Sequence, residues 1–247
     1  MGGVPSVLLL LWCRGGCSTA TVAAALTFFP PCPPCYTLQK KEGSDELEMV
    51  VDELLESTAS TEDVQIAMIV SGRRKIKPSR RRQPGRGNGR NKGGSCPASA
   101  GRSCAGCSRC SGSSHASQKP RKAKGSVIPL ALHRREGARF TLIYSHGNAT
   151  DIGAMHDRCV GIADALGVNV LSYDYTGYGM ASGSPTEAKT YRDIEAVCTW
   201  ARANVLREGE DGSGRNKGHG LILYGQSVGS GPTCFLASEE RHGPFAG

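Results

Sequence analysis

The sequence predicts an α/β fold, a mostly parallel sheet with helices on both faces, on three features of its C-terminal half. Short apolar runs at Phe140 to Tyr144, Val168 to Tyr173 and Gly220 to Tyr224 have the length and continuity of buried strands. Between the last two, Ala188, Tyr191, Ile194, Val197, Cys198 and Ala201 recur at helical spacing within Thr186 to Leu206. The final run leads into Gly225-Gln226-Ser227-Val228-Gly229, and a helical stretch from Thr233 to Ser238 follows.

A serine between small residues, at a sharp turn from a buried strand into a helix, is a nucleophile elbow. The turn holds the hydroxyl exposed in strained geometry at the head of the helix. This places the chain in the α/β-hydrolase fold, with Ser227 as nucleophile and Gly225 and Gly229 as the elbow residues. The Val228 N–H then faces the oxygen that becomes negative during acyl transfer. The second oxyanion donor in this fold comes from the loop after an earlier strand. Here that loop is Ser145-His146-Gly147-Asn148-Ala149, and the donor is the backbone N–H of Asn148. His146 precedes the serine, whereas the fold orders its triad as serine, acid, histidine, so His146 is expected to shape the loop. The glycines of Asp174-Tyr175-Thr176-Gly177-Tyr178-Gly179 mark a tight structural turn after the next strand.

The first 125 residues divide by composition. Residues 1–44 carry an apolar run at Val7 to Trp12, well short of the ~20 residues that span a bilayer, with no preceding Lys or Arg. Met1-Gly2-Gly3-Val4-Pro5-Ser6 fits N-myristoylation at Gly2, with Cys13 and Cys17 as S-palmitoylation sites. Two lipid signals make a stable anchor where one does not. The competing readings are a weak signal peptide and an arbitrary apolar start from a faulty gene model.

In residues 45–72, Leu47, Val50, Val51, Leu54 and Leu55 recur among acidic residues and predict a short amphipathic helix, followed by a strand over Val64 to Val70. Residues 73–125 are an insertion with 16 Lys and Arg between Arg73 and Lys124, no Asp or Glu, and no apolar periodicity. Such a tract is expected to be disordered, with anionic lipid as its partner surface and nucleic acid as the lesser alternative. Cys96, Cys104, Cys107 and Cys110 are too crowded, and too far from apolar neighbours, for a structural zinc site. No metal and no cofactor are expected. Residues 126–247 form the hydrolase domain, opening with a strand at Ser126 to Leu132 and a hairpin or tight connection through Arg134-Arg135-Glu136-Gly137.

YSHGNATDIG, LSYDYTGYGMASGSPTE and ILYGQSVGSGP, spread from Phe140 to Pro232, together resemble the α/β-hydrolase domain-containing protein 17 family. Leu26 to Pro31 and Tyr36 to Leu38 echo that family's Pro-rich stretch behind a palmitoylated Cys cluster. The resemblance implies a serine hydrolase that removes palmitate from proteins, with acylated proteins as substrates. It also implies a peripheral, lipid-anchored location on the cytoplasmic face of the plasma membrane or endosomes.

Beyond Ser227, only Glu239, Glu240 and His242 offer an acid or base, and they are near neighbours in sequence. The fold draws these groups from separate later loops. The expectation is therefore a fragment truncated after the elbow, lacking the triad Asp and His and inactive alone. The remaining functional alternatives are a peptidase or lipase on the same fold, or a basic membrane- or RNA-binding adaptor with a dead hydrolase module.

Overall fold

The structure, a computed structural model, describes residues 12–13, 16, 18–72, 125–206, 220–239 and 245. Residues 73–124 of the basic insertion, Gly2, Cys17, Glu240 and His242 lie outside the described residues.

Helix α1 (Thr19–Thr27) precedes strands β1 (Tyr36–Lys40), β2 (Leu47–Val51), β3 (Val64–Ser71), β4 (Ser126–His133) and β5 (Phe140–Ser145). Then come helix α2 (His156–Leu166), strand β6 (Asn169–Tyr173), helix α3 (Glu187–Asn204), strand β7 (Gly220–Gly225) and helix α4 (Ser230–Ser238). The strands form one sheet in the order β1-β2-β3-β4-β6-β5-β7. β5 pairs in parallel with both β6 and β7, as the buried runs predict. The other four of the six pairings, from β1 across to β6, are antiparallel, so the mostly parallel sheet expected is corrected to a mixed one: the buried runs that predict parallel pairing belong to β5, β6 and β7 alone. The fold is that of an α/β-hydrolase, with a mixed sheet.

Two further expectations need correction. Leu47 to Val51 is a strand, not the start of a helix: it pairs along its length with Tyr36 to Lys40, and Met49 is buried. Five residues of LEMVV satisfy a period of two as well as one of 3.6, and pairing across the turn at Gly43 decides between them. A 3-10 turn at Glu53–Leu55, capped by Asp52, is the only helical backbone the segment contains. The link through Arg134 to Gly137 is not a hairpin, because β6 lies between β4 and β5. It is a crossover to the far side of a strand not yet made.

Alternating residues send the two sheet faces into separate cores. Leu130, Ile143 and Leu171 pack under α3 with Ile194, Val197 and Ala201, and Leu236 of α4 joins them. Leu142, Tyr144 and Val170 face Cys159 and Ala163 of α2 on the other side. β3 and β4 pair in full register, Ser71 opposite Ser126. A Cβ at Gly125 would overlap the Ser71 carbonyl oxygen, so the two strand ends meet closely where the insertion begins and ends. Where β2 and β3 pair at a single position, they leave an open groove of about 430 Å³ lined by Lys41, Glu46, Glu62 and Arg134, with no elbow residue in it.

His133, at the end of β4, is buried, with one ring nitrogen 3.3 Å from the Val170 carbonyl and the other 3.2 Å from His156. Burial, with the neighbouring His156 as the second cause, pushes its imidazole from 6.5 down to about 4. The folded chain thus keeps His133 neutral while the unfolded chain takes up a proton below about 6.5. The stability this supplies is fully present above about 6.5 and is lost as the pH falls toward about 4. The melting temperature is expected to drop across that window, and His133→Gln to flatten the slope. An unchanged slope in the variant would count against this origin.

Candidate active site

The loops after β5 and β7 leave neighbouring parallel strands and continue to helices on opposite faces, α2 on one and α4 on the other. That is the topological switch point, where an open α/β sheet leaves a crevice at its strands' carboxyl ends. The elbow forms one wall of this crevice and the Ser145–Ala149 loop forms the other.

Ser227 is exposed and has φ +52°, a left-handed conformation that a residue with a Cβ rarely adopts. Two glycines make the turn tight enough to impose it. A Cβ at Gly225 would come within 2.6 Å of Thr233 Oγ1 and 2.7 Å of the Gly229 carbonyl oxygen. A Cβ at Gly229 would overlap the Ser145 carbonyl oxygen and approach that of His146 to 2.6 Å. Gln226 ties the two walls together: its N–H donates to the Ser145 carbonyl at 2.9 Å, and its Oε1 accepts from the Tyr144 hydroxyl at 2.6 Å. Val228 lies in the first turn after the serine, where a helix leaves backbone donors without intrahelical acceptors.

Across the crevice, Gly147 packs against the Gln226 side chain, so Asn148 follows directly on the point of contact. Ala149 also has a positive φ, +55°. His146 is fully buried, its ring centroid 4.4 Å from that of Tyr175. Nδ1 lies 2.8 Å from the Gly147 carbonyl, and Nε2 lies 3.5 Å from Asp174 Oδ1 without a hydrogen bond. The imidazole is thus packed into the loop. Asp174 binds inward, accepting from the Ile152 N–H at 2.9 Å and from the Tyr36 hydroxyl at 2.5 Å. Burial, reinforced by the Asp174 charge, drives the Tyr36 phenol far above its ordinary range, so it stays a donor. Asp193 of α3 steadies the turn after β6 through the Thr176 N–H and hydroxyl, at 2.7 and 3.0 Å.

Ser227, Val228, Gly225, Gly229 and Asn148 are therefore brought together at one crevice. Cys13 is exposed, as are Cys32 and Cys234. Glu239 caps the end of α4. Among the described residues no group of three or more His, Cys, Asp or Glu side chains could hold a metal, and no helix is long and apolar enough to cross a membrane. The sequence reading missed Tyr36, Asp151 and the Asn148 carboxamide, whose partners are more than 100 residues away.

Sequence comparison bears on this arrangement. The chain is 42% identical over 119 residues to α/β-hydrolase domain-containing protein 17C of Xenopus laevis, a match covering 48% of the chain and 35% of that protein. Against the human 17B protein the identity is 39% over 119 residues, covering 48% of the chain and 38% of the relative. Over this stretch the chain is similar to α/β-hydrolase domain-containing 17 proteins. It spans about a third of the length of these curated 17-type relatives. No family model matches the chain. Solved structures with a likeness include a putative hydrolase of Agrobacterium vitis, 20% identical over 49% of the chain and 42% of that structure, with a TM-score of 0.38. A Pyrococcus furiosus esterase is 24% identical over 49% of the chain and 44% of its own, with a TM-score of 0.39. At those scores the fold rests on the strand order and the elbow rather than on these likenesses.

The close approach of Gly229 to the β5 loop makes a sharp prediction. Gly229→Ala is expected to abolish soluble expression or lower the melting temperature steeply. Gly231→Ala, a helical position with nothing within 4 Å of the added Cβ, is expected to be neutral or stabilising by about 0.5–1 kcal/mol. Equal melting temperatures for the two variants would contradict the packing described.

Proposed function

We propose that this chain supplies the nucleophile and oxyanion side of a serine hydrolase that cleaves acyl thioesters, palmitate on protein cysteines in particular. The observation that carries the reading is Ser227 itself: an exposed hydroxyl on a residue held at φ +52° between two glycines that tolerate no Cβ. Strain of that kind is kept only where the surrounding structure enforces it, and it aims the oxygen into the crevice. In the proposed step Ser227 Oγ attacks the acyl carbonyl, and the Val228 and Asn148 N–H groups receive the oxyanion. The acyl group then passes from sulfur to Ser227, the thiolate leaves and is protonated, and water releases the fatty acid. A base must take the serine proton, and its removal alone costs on the order of 10⁶ in turnover in well-studied serine enzymes. The substrate class comes from the similarity to the 17-type proteins, together with an N-terminus suited to the same membrane surface.

Ser227 is expected to be labelled by a fluorophosphonate probe, and Ser227→Ala to lose the label. Labelling that persists in the alanine variant would reassign the nucleophile.

For location, we propose peripheral attachment through acylated Gly2, Cys13 and Cys17, with the basic tract adding contact to anionic lipid. Replacing Gly2 by Ala and both cysteines by Ser should move the tagged protein from the membrane fraction to the soluble one. If it stays membrane-bound, deletion of residues 73–124 shows whether the basic tract alone holds it there.

A further inference from the structure

Residues 27–36 run from the end of α1 to the start of β1, and they lie against the loop that follows β5. Asn148 Oδ1 accepts from the Phe29 N–H at 2.9 Å, while its Nδ2 donates to the Thr27 carbonyl at 2.6 Å. Asp151 Oδ2 accepts from the Cys35 N–H at 2.7 Å, and its Oδ1 accepts from the Ala154 N–H at 3.0 Å. A Cβ at Gly153 would come within 2.6 Å of Tyr36 Cβ, so residues 27–36 form a strap that touches the loop at both of its ends. Phe28 adds an edge-on contact to Tyr178, the ring centroids 6.5 Å apart.

Asn148 stands at the centre of this contact. Besides the strap it serves its own loop, because Oδ1 also accepts from the Tyr178 hydroxyl at 2.7 Å and from the Ala149 N–H at 3.1 Å. Rotating the side chain would break four hydrogen bonds spread over three segments of the chain. The main chain of the same residue carries the N–H assigned to the oxyanion, beside an alanine held at φ +55°. Oxyanion donors act within a narrow range of about 2.7–3.1 Å, and a misplacement of about 1 Å can cost on the order of 10² in rate.

We propose that Thr27–Phe29 is a positioning element of the active site: bound to the Asn148 carboxamide, it sets the direction of the Asn148 N–H. Asn148 then works twice, its backbone toward the substrate and its side chain toward the strap. This rests on the hydrolase reading above and adds to it a route by which the N-terminal segment governs turnover. Whatever holds or displaces residues 27–29 changes the rate at Ser227 without touching it.

The test compares three variants of the protein by kcat and KM for p-nitrophenyl ester hydrolysis, with melting temperatures measured alongside. Phe29→Ala removes an exposed ring but keeps the N–H. Phe29→Pro removes the N–H, and Phe28 before it, at φ −104° and ψ 121°, already has the extended backbone that a following proline requires. Tyr178→Phe removes the second donor to Asn148 Oδ1. Phe29→Pro and Tyr178→Phe are expected to lower kcat by about fivefold or more, the worth of one hydrogen bond, with KM unchanged. Phe29→Ala should keep kcat within about twofold, since the bond survives. Parental kcat in Phe29→Pro overturns the inference, and so does a kcat that falls only in step with the folded fraction. Turnover that is absent from the parent, or that survives Ser227→Ala, overturns the hydrolase reading and the inference with it.

Discussion

The carbonyl oxygens at the end of β5 point at the Cα of Gly229, and this contact governs the geometry of the crevice. Strand β5 is rigid because it pairs on both sides, with β6 and with β7. The elbow is pressed onto its end so closely that only hydrogen fits between them. The same meeting point is hydrogen-bonded, from the Gln226 N–H to the Ser145 carbonyl. The elbow and the loop after β5 are therefore two sides of one packed contact, not two loops that happen to be near. The positive φ at Ser227 persists because relaxing it would pull the elbow off β5.

A second layer of polar groups supports that contact from beneath. Asp151, Asp174 and Asp193 are all fully buried, and burial pushes the carboxyl pKa of Asp151 and Asp193 above the ordinary carboxylate range, making them weaker acids. Each nevertheless accepts from at least one backbone N–H, which offsets part of the desolvation. The three carboxylates serve two loops beside the elbow. Asp151 braces the loop after β5 against Cys35, Asp174 braces the loop after β6 against Tyr36, and Asp193 reaches that same loop from α3. A site built from loops thus acquires the stiffness of a core.

What the sequence made legible was local. Ser227, its glycines and the SHGNA turn each follow a buried strand, and strand, turn and chemistry are contiguous in the chain. β1 and β2 were not legible, because YTLQK carries little apolar pattern, LEMVV fits either period, and their pairing was decided across the turn. α2 went unread because its buried stripe is only His156, Cys159 and Ala163, and no side chain caps its start. The strap was the hardest to see. Its bonds join Phe29 to Asn148 and Tyr36 to Asp174, and nothing in the intervening residues marks either pair. An asparagine in a loop reads as a turn former, and its long-range role shows only when the segments are folded together.

The meeting of Ser71 and Ser126 has a consequence for how this architecture can vary. The two residues face one another across a β ladder, with Gly125 packed onto the Ser71 carbonyl. Any chain joining β3 to β4 must therefore start and finish at almost the same place, whatever its length. The entropy of closing such a loop grows only logarithmically, each doubling adding about 0.6 kcal/mol. The junction can thus accept or discard tens of residues with little effect on the sheet or on the crevice. It is a point where this scaffold can gain new sequence, charge or regulation by splicing or insertion while its chemistry stays unchanged.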